Sequence, residues 1–255
     1  MYLFKKTVSF LVLSVSLSVG FLSMEAAEPF TIFMIGDSTM ADKPVIPENP
    51  ERGWGQLLPM FFQSHVTIEN HAVNGRSSKS FIDEGRWDKV VDRLHKGDWL
   101  IVQFGHNDEK ADEARHTEPY GSYAANLRRF CVEAQAKGAQ PILATPVVRR
   151  HFDAAGELQP THGDYPDAVR KLAAKLAVPL LDLTEQSRAL LSRLGKQRSE
   201  GLFIWTLPGE YERFPDGNRD NTHFNALGAT RICDLAVAEL SKIAPSLAGH
   251  LRPSR

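Results

Sequence analysis

Four short segments carry residue types that can do chemistry together if folding brings them to one place. They are Gly36-Asp37-Ser38-Thr39-Met40, Asn74-Gly75-Arg76-Ser77-Ser78, Gly105-His106-Asn107-Asp108 and Asp220-Asn221-Thr222-His223. A serine hydroxyl is a weak nucleophile at neutral pH. It needs a base within hydrogen-bond reach and a third group to orient that base. Ser38 is the candidate nucleophile and His223 the candidate base. Asp220, three residues before His223, can hold the other imidazole nitrogen and stabilise the imidazolium. A carbonyl attacked by such a serine becomes an oxyanion, and each preorganised donor that meets it is worth roughly 10²–10³ in rate. The backbone N–H groups of Ser38 and Gly75 and the side-chain amide of Asn107 are the candidate donors. A glycine suits that place because its backbone can approach a substrate closely. An Asp and a His in one polar loop are common, so the weight lies on the whole set. The chemistry it points to is acyl transfer to water.

The neighbouring polar residues divide into scaffolding and possible contacts. Asp37 is expected to order its turn by accepting backbone hydrogen bonds, as Asp does in turns, and Asp108 to hold its loop. His106 stands beside the amide donor; a substrate contact and a satisfied loop histidine are both open. The other histidines show no metal-ligand spacing, so neither metal nor cofactor is expected. Arg76, Lys79 and Arg86 follow the Gly75 segment, and Arg149, Arg150 and His151 follow an apolar run. Charge runs are usually solvated faces. The alternative is a rim that attracts a negatively charged substrate, with Arg76 and Arg149 foremost, and that salt would weaken. Trp54, Trp205 and Tyr211 can stack on a sugar face or anchor a loop, and Trp205 is a candidate substrate contact.

The elements that must position these residues are legible as short apolar runs at residues 30–35, 66–68, 99–104, 141–145 and 178–183, each continuous as in strands buried on both faces. Helical stripes lie between and after them. They are Tyr123, Leu127, Phe130 and Ala134; Val169, Leu172, Ala173 and Leu176; and Ile232, Leu235, Ala236, Leu240 and Ile243 after Asn225. Such alternation predicts a single three-layer α/β/α domain around a doubly wound, parallel five-stranded sheet in flavodoxin-like order. Ligands bind such sheets at the carboxyl ends of the strands, and three of the four chemical segments directly follow apolar runs. Residues 202–219, with Pro208, Gly209, Pro215 and Gly217, read as a long loop walling one side of the site.

The chain has 255 residues, 42% hydrophobic and 24% charged, with a net charge of −1. That is ordinary globular composition and lacks the basic excess of a nucleic-acid binder. Lys5 and Lys6 precede an apolar run at residues 7–24 with five serines and one glycine, followed by Ala26 and Ala27. This is the pattern of a secretory signal over residues 1–27; an uncleaved anchor is the alternative. Removing it shifts the net charge to −2. The domain would then occupy residues 28–255, without a membrane span, in a periplasmic or extracellular location. Cys131 and Cys233 fall in helical segments expected on opposite faces of the sheet, hence two free thiols. Oligomeric state has no signature here.

Gly36-Asp37-Ser38, Gly75, Gly105-x-Asn107-Asp108 and Asp220-x-x-His223 resemble the four ordered blocks of the SGNH (GDSL-like) hydrolases. The family's Ser, Gly, Asn and His correspond to Ser38, Gly75, Asn107 and His223. Gly-Asp-Ser-Thr-Met, residues 74–81, Phe-Gly-His-Asn-Asp and Gly53-Trp54-Gly55-Gln56 resemble the rhamnogalacturonan acetylesterase branch. What the resemblance implies is a serine esterase, without cofactor, that removes acetyl groups from a carbohydrate polymer, foremost the pectic one. Other family activities remain as alternatives: deacetylation of xylan or another glycan, and lipid or thioester hydrolysis. A different class, a silent carbohydrate-binding protein, would have no use for an intact triad.

Overall fold

The computed structural model describes residues 29–253; the segment read as an export signal lies outside them. Five parallel strands form the central sheet: β1 (Phe30–Gly36), β2 (Val66–Asn70), β3 (Trp99–Gln103), β4 (Gln140–Ala144) and β5 (Leu180–Leu181), in the order β2-β1-β3-β4-β5. The α/β, doubly wound, flavodoxin-like architecture is the expected one. After β1 the chain pairs on one side, as β2, and then crosses to the other side, as β3. The switch point therefore lies between β1 and β3, where such sheets open a crevice. The register sets Gly36 beside Gln103, so the Ser38 and Asn107 loops leave adjacent strands at the same height.

Side-chain alternation along the strands divides the core in two. Ile32 and Met34 of β1 and Ile101 of β3 face one half of the core; Phe33, Ile35 and Val102 face the other. The first half is covered by α1 (Trp54–Leu57), α6 (Leu183–Arg198) and α7 (Ala226–Ile243), through residues such as Trp54, Leu191 and Ile232. The second half is covered by α2 (Ser78–Asp83), α3 (Arg86–Val91), α4 (Ala124–Ala136) and α5 (Tyr165–Leu176), through Phe81, Trp87, Phe130 and Val169. Cys233 lies in the first half and Cys131 in the second. Burial pushes the Cys131 thiol up to about 12, so it packs as a neutral side chain.

Several expectations are corrected. The fifth strand is only Leu180–Leu181. Asp182 accepts from the Glu185 N–H and starts α6, a helix the sequence reading did not assign. Residues 202–219 are not one long loop. They include β6 (Phe203–Thr206), which pairs antiparallel with β7 (Asn218–Phe224) in a separate two-stranded ribbon. Trp54 is fully buried and donates its indole N–H to Gln103 Oε1 at 2.6 Å, so it anchors the sheet and does not stack on a sugar. Among the described residues no helix is long and apolar enough to cross a membrane.

Candidate active site

Ser38 is the second residue after β1, in a turn closed by the Met40 and Ala41 N–H groups on the Asp37 carbonyl. His223 reaches it from the other end of the chain. The Nε2 atom lies 2.8 Å from Ser38 Oγ, and Nδ1 lies 2.6 Å from Asp220 Oδ2. The local structure that aims His223 is an irregularity in the β6–β7 ribbon. Phe203 faces Phe224 and Trp205 faces Arg219, so Ile204 alone stands opposite residues 220–223. A bulge of this kind bends a strand and re-aims its side chains. Asp220 stabilises the bend itself. Its Oδ1 accepts the Thr222 and His223 N–H groups at 2.6 and 3.0 Å, while Oδ2 takes the imidazole. Burial pushes the Asp220 carboxyl up, but these hydrogen bonds outweigh it and hold the group below the usual range. An ionised Asp220 keeps the proton on Nδ1 and leaves Nε2 free to accept from the serine hydroxyl.

Two supports fix the bulge. Asn225 caps α7 by accepting the Gly228 N–H, and its own amide donates to the Gly201 and Phe203 carbonyls. Arg150 is 4% exposed and cross-links the segment to the body of the domain. Its guanidinium donates to Asn221 Oδ1, Ser199 Oγ and Glu200, and its N–H donates to the Asn221 carbonyl. Arg150 is therefore not part of a basic rim. Sequence reasoning had only its place beside Arg149 to go on.

The three expected oxyanion donors come together on the same cleft. Gly75 adopts φ +75°, and a Cβ there would meet nothing within 4 Å. The left-handed backbone, more than any crowding, selects glycine at this point. Among the described residues neither the Ser38 nor the Gly75 N–H has an acceptor. Asn107 spends one amide hydrogen on the Arg76 carbonyl at 3.1 Å and retains the second. Asn74, next to Gly75, is held by Lys43, whose ammonium lies 2.5 Å from Asn74 Oδ1 and 2.6 Å from Glu51. Burial lowers the Lys43 pKa and Glu51 opposes it. The sequence carried no signal for this brace.

Asp37 and Asp108 both act on loops. Asp37 Oδ1 accepts the Thr39 N–H and hydroxyl at 2.9 and 2.8 Å. Asp108 accepts from the Ser78 N–H and hydroxyl and from the Thr117 hydroxyl. Complete burial pushes the Asp108 carboxyl up to about 7 despite those donors. His106 is 3% exposed, with Nδ1 3.2 Å from Asp37 Oδ2. Burial pushes its pKa down to about 4 even though Asp37 pulls the other way, so it is neutral at pH 7.

The cleft over Ser38 has a volume of about 360 Å³. Besides Ser38, Gly75, His106, Asn107 and His223, its walls are Glu51, Asn74, Lys110, Arg149, Arg213 and Thr222, with no aliphatic or aromatic hydrocarbon side chain among them. Of the expected substrate contacts, His106 and Arg149 line it and Arg76 and Trp205 do not. Arg76 turns to Glu84 at 3.1 Å and to the Asn74 carbonyl. Lys79 and Arg86 are likewise paired, with Asp83 and Glu84. Arg149 is engaged by Glu109 and donates to the His106 carbonyl at 3.2 Å. Trp205 lines a different cavity and donates its indole N–H to Asn221 Oδ1 at 3.0 Å. Two cations that the sequence did not single out, Lys110 and Arg213, are on the cleft wall. Among the described residues no three His, Cys, Asp or Glu side chains are grouped to hold a metal.

A serine just past a central strand, a histidine within reach of it, an aspartate holding that histidine, and three unspent donors are an arrangement suited to acyl transfer on a doubly wound sheet. The sequence matches the GDSL-like Lipase/Acylhydrolase family over residues 34–231, and the chain belongs to that family. It is a carboxylic ester hydrolase. It is 40% identical over 224 residues to "Rhamnogalacturonan acetylesterase RhgT" of Bacillus subtilis, covering 88% of this chain and 95% of the relative. It is 35% identical over 216 residues to "Probable rhamnogalacturonan acetylesterase YesY" of the same organism, covering 83% and 93%. The crystal structure of Bacillus subtilis YxiM superimposes with a TM-score of 0.73 at 28% identity, covering 87% of this chain and 58% of that one.

Proposed function

We propose that this protein is an exported acetylesterase that removes O-acetyl groups from pectic rhamnogalacturonan. The observation that carries the reading is the Ser38 cleft, walled by polar and charged side chains and glycine alone. Such a wall suits a two-carbon acyl group on a sugar and gives a long acyl chain no apolar surface to bury. The near full-length similarity to two Bacillus subtilis proteins named for rhamnogalacturonan deacetylation supports the polymer. Residues 1–27 serve as the export signal in this reading, and residues 28–255 act in the periplasm or outside the cell.

Ser38 Oγ attacks the acetyl carbonyl carbon while its proton passes to His223 Nε2. The oxyanion is held by the Ser38 and Gly75 N–H groups and the Asn107 amide. The bond from the acetyl carbon to the sugar oxygen breaks, and His223 returns its proton to that oxygen. Water then attacks the acetyl-enzyme with His223 again as base, releasing acetate and restoring Ser38. Asp220 orients His223 throughout. Arg149, Lys110 and Arg213 favour an acidic polymer.

The test is acetate release by the purified mature protein from acetylated rhamnogalacturonan, beside acetylated xylan and nitrophenyl acetate, with Ser38→Ala as control. Ser38-dependent release that is strongest from the pectic polymer is expected. Release from nitrophenyl acetate alone would overturn the substrate and leave the esterase.

A further inference from the structure

A larger cavity, of about 800 Å³, lies outside the Ser38 cleft, along the β6–β7 ribbon. Its walls include Trp205, Thr206, Leu207, Pro208, Asp216 and Arg219. The composition differs from an ordinary solvated groove. Leu207 is 73% exposed and lies beside Pro208, giving an uncovered apolar surface. Arg219 is exposed, with its guanidinium 5.6 Å from the centre of the Trp205 ring. Among the described residues neither Arg219 nor the exposed Asp216 has an ion-pair partner. A pyranose ring presents the complementary groups: an apolar C–H face for Leu207 and Pro208, vicinal hydroxyls for a carboxylate, and ring or hydroxyl oxygens for a guanidinium.

The position of the cavity ties it to the catalytic cleft. Arg219 and His223 are four residues apart on β7, and four residues of chain span no more than about 14 Å. A few consecutive sugar units bridge that distance. We propose that this cavity is a remote sugar-binding subsite, which holds one unit of the polysaccharide a few residues from the acetylated unit over Ser38. The proposal rests on the polysaccharide substrate argued above and adds a second place of contact on the same polymer.

The test compares the parent with Arg219→Ala, Leu207→Ser and the double variant. These exposed positions spare Trp205, whose indole holds Asn221 beside the triad. The readout is the ratio of kcat/KM for acetylated rhamnogalacturonan to kcat/KM for nitrophenyl acetate, which is too small to reach the subsite. Each single change should lower the ratio about three- to tenfold, through KM for the polymer, as a lost contact or two would. In the Ser38→Ala background, long oligosaccharides should lose affinity on the double change, and oligosaccharides of two or three units should lose none. A ratio unchanged in the double variant, or equal losses for short and long oligosaccharides, would overturn the subsite. If the parent hydrolyses nitrophenyl acetate and releases nothing from the polymer, the substrate reading fails, and the subsite for that polymer with it.

Discussion

Asp37 directly precedes Ser38, yet its carboxylate faces His106, with Nδ1 3.2 Å away, while His223 takes its orientation from Asp220. The cleft therefore has two aspartate–histidine pairs with different duties. The buried pair ties the ends of β1 and β3 together. The half-exposed pair is the one in contact with Ser38. Burial pushes the Asp37 carboxyl up, but the charge and hydrogen bond of His106 and the Thr39 donors outweigh it and hold its pKa down at about 2.

Separate substitutions should distinguish the two duties. Asp37→Ala strands the Thr39 and His106 donors inside the protein and should cost at least about 2 kcal/mol of stability. Asp220→Asn keeps an oxygen for the two backbone N–H groups and loses only the ionised acceptor. It should lower kcat by about 10³–10⁴ with a change in stability under about 1 kcal/mol. Urea melts beside nitrophenyl acetate kinetics would show it. Equal destabilisation by both changes would count against the division.

Asn107→Ala removes one of the three proposed oxyanion donors. The expected loss is about 10²–10³ in kcat with little change in KM, since the donor meets charge that exists only in the transition state. A change confined to KM would mean that the amide binds the ground-state ester instead.

Lys110 is an exposed cation on the cleft wall, and among the described residues it has no carboxylate in ion-pair contact. Lys110→Gln should raise KM for acetylated rhamnogalacturonan about threefold or more and reduce its rise with salt, because ions screen exposed charges beyond about 10 Å at 0.1 M. Equal salt slopes in parent and variant would exclude Lys110 from substrate attraction.

Asp108 makes a pH-dependent contribution of known sign. Its folded-state pKa of about 7 exceeds the usual carboxylate value. Between about pH 4 and 7 the native protein holds a proton that the unfolded chain has lost, so this group's contribution to stability falls as pH rises through that window. Asp108→Asn cannot titrate. Melting curves at pH 4.5, 6 and 8 should show the parent losing ground to the variant by a few degrees, with the change complete soon after pH 7. A constant gap would refute the raised pKa.

The sequence conveyed these features unevenly, for physical reasons. The β1 and β3 strands were legible because strands buried on both faces are continuously apolar, and Gly75 as a place where the backbone can be approached closely. The β7 strand was not legible. Its residues, Asn218 to Phe224, are almost all polar and belong to a bulged two-stranded ribbon, so no alternation marks them. The α6 helix was obscured because Leu183, its first residue, reads as the end of the preceding apolar run. Arg150 resembled its neighbour Arg149 in every local respect. Only the fold sends one to the cleft wall and the other beneath the Asp220–His223 bend.

Ser38 and His223 are 185 residues apart in the chain and 2.8 Å apart in space. Until β7 and α7 dock, the hydroxyl at Ser38 has no base and is an ordinary alcohol. A molecule in which the carboxyl-terminal ribbon and helix have not docked therefore lacks the base and should carry no hydrolytic activity. Recovery of ester hydrolysis during refolding should thus report the docking of this carboxyl-terminal part, separately from the helical signal of the rest of the domain.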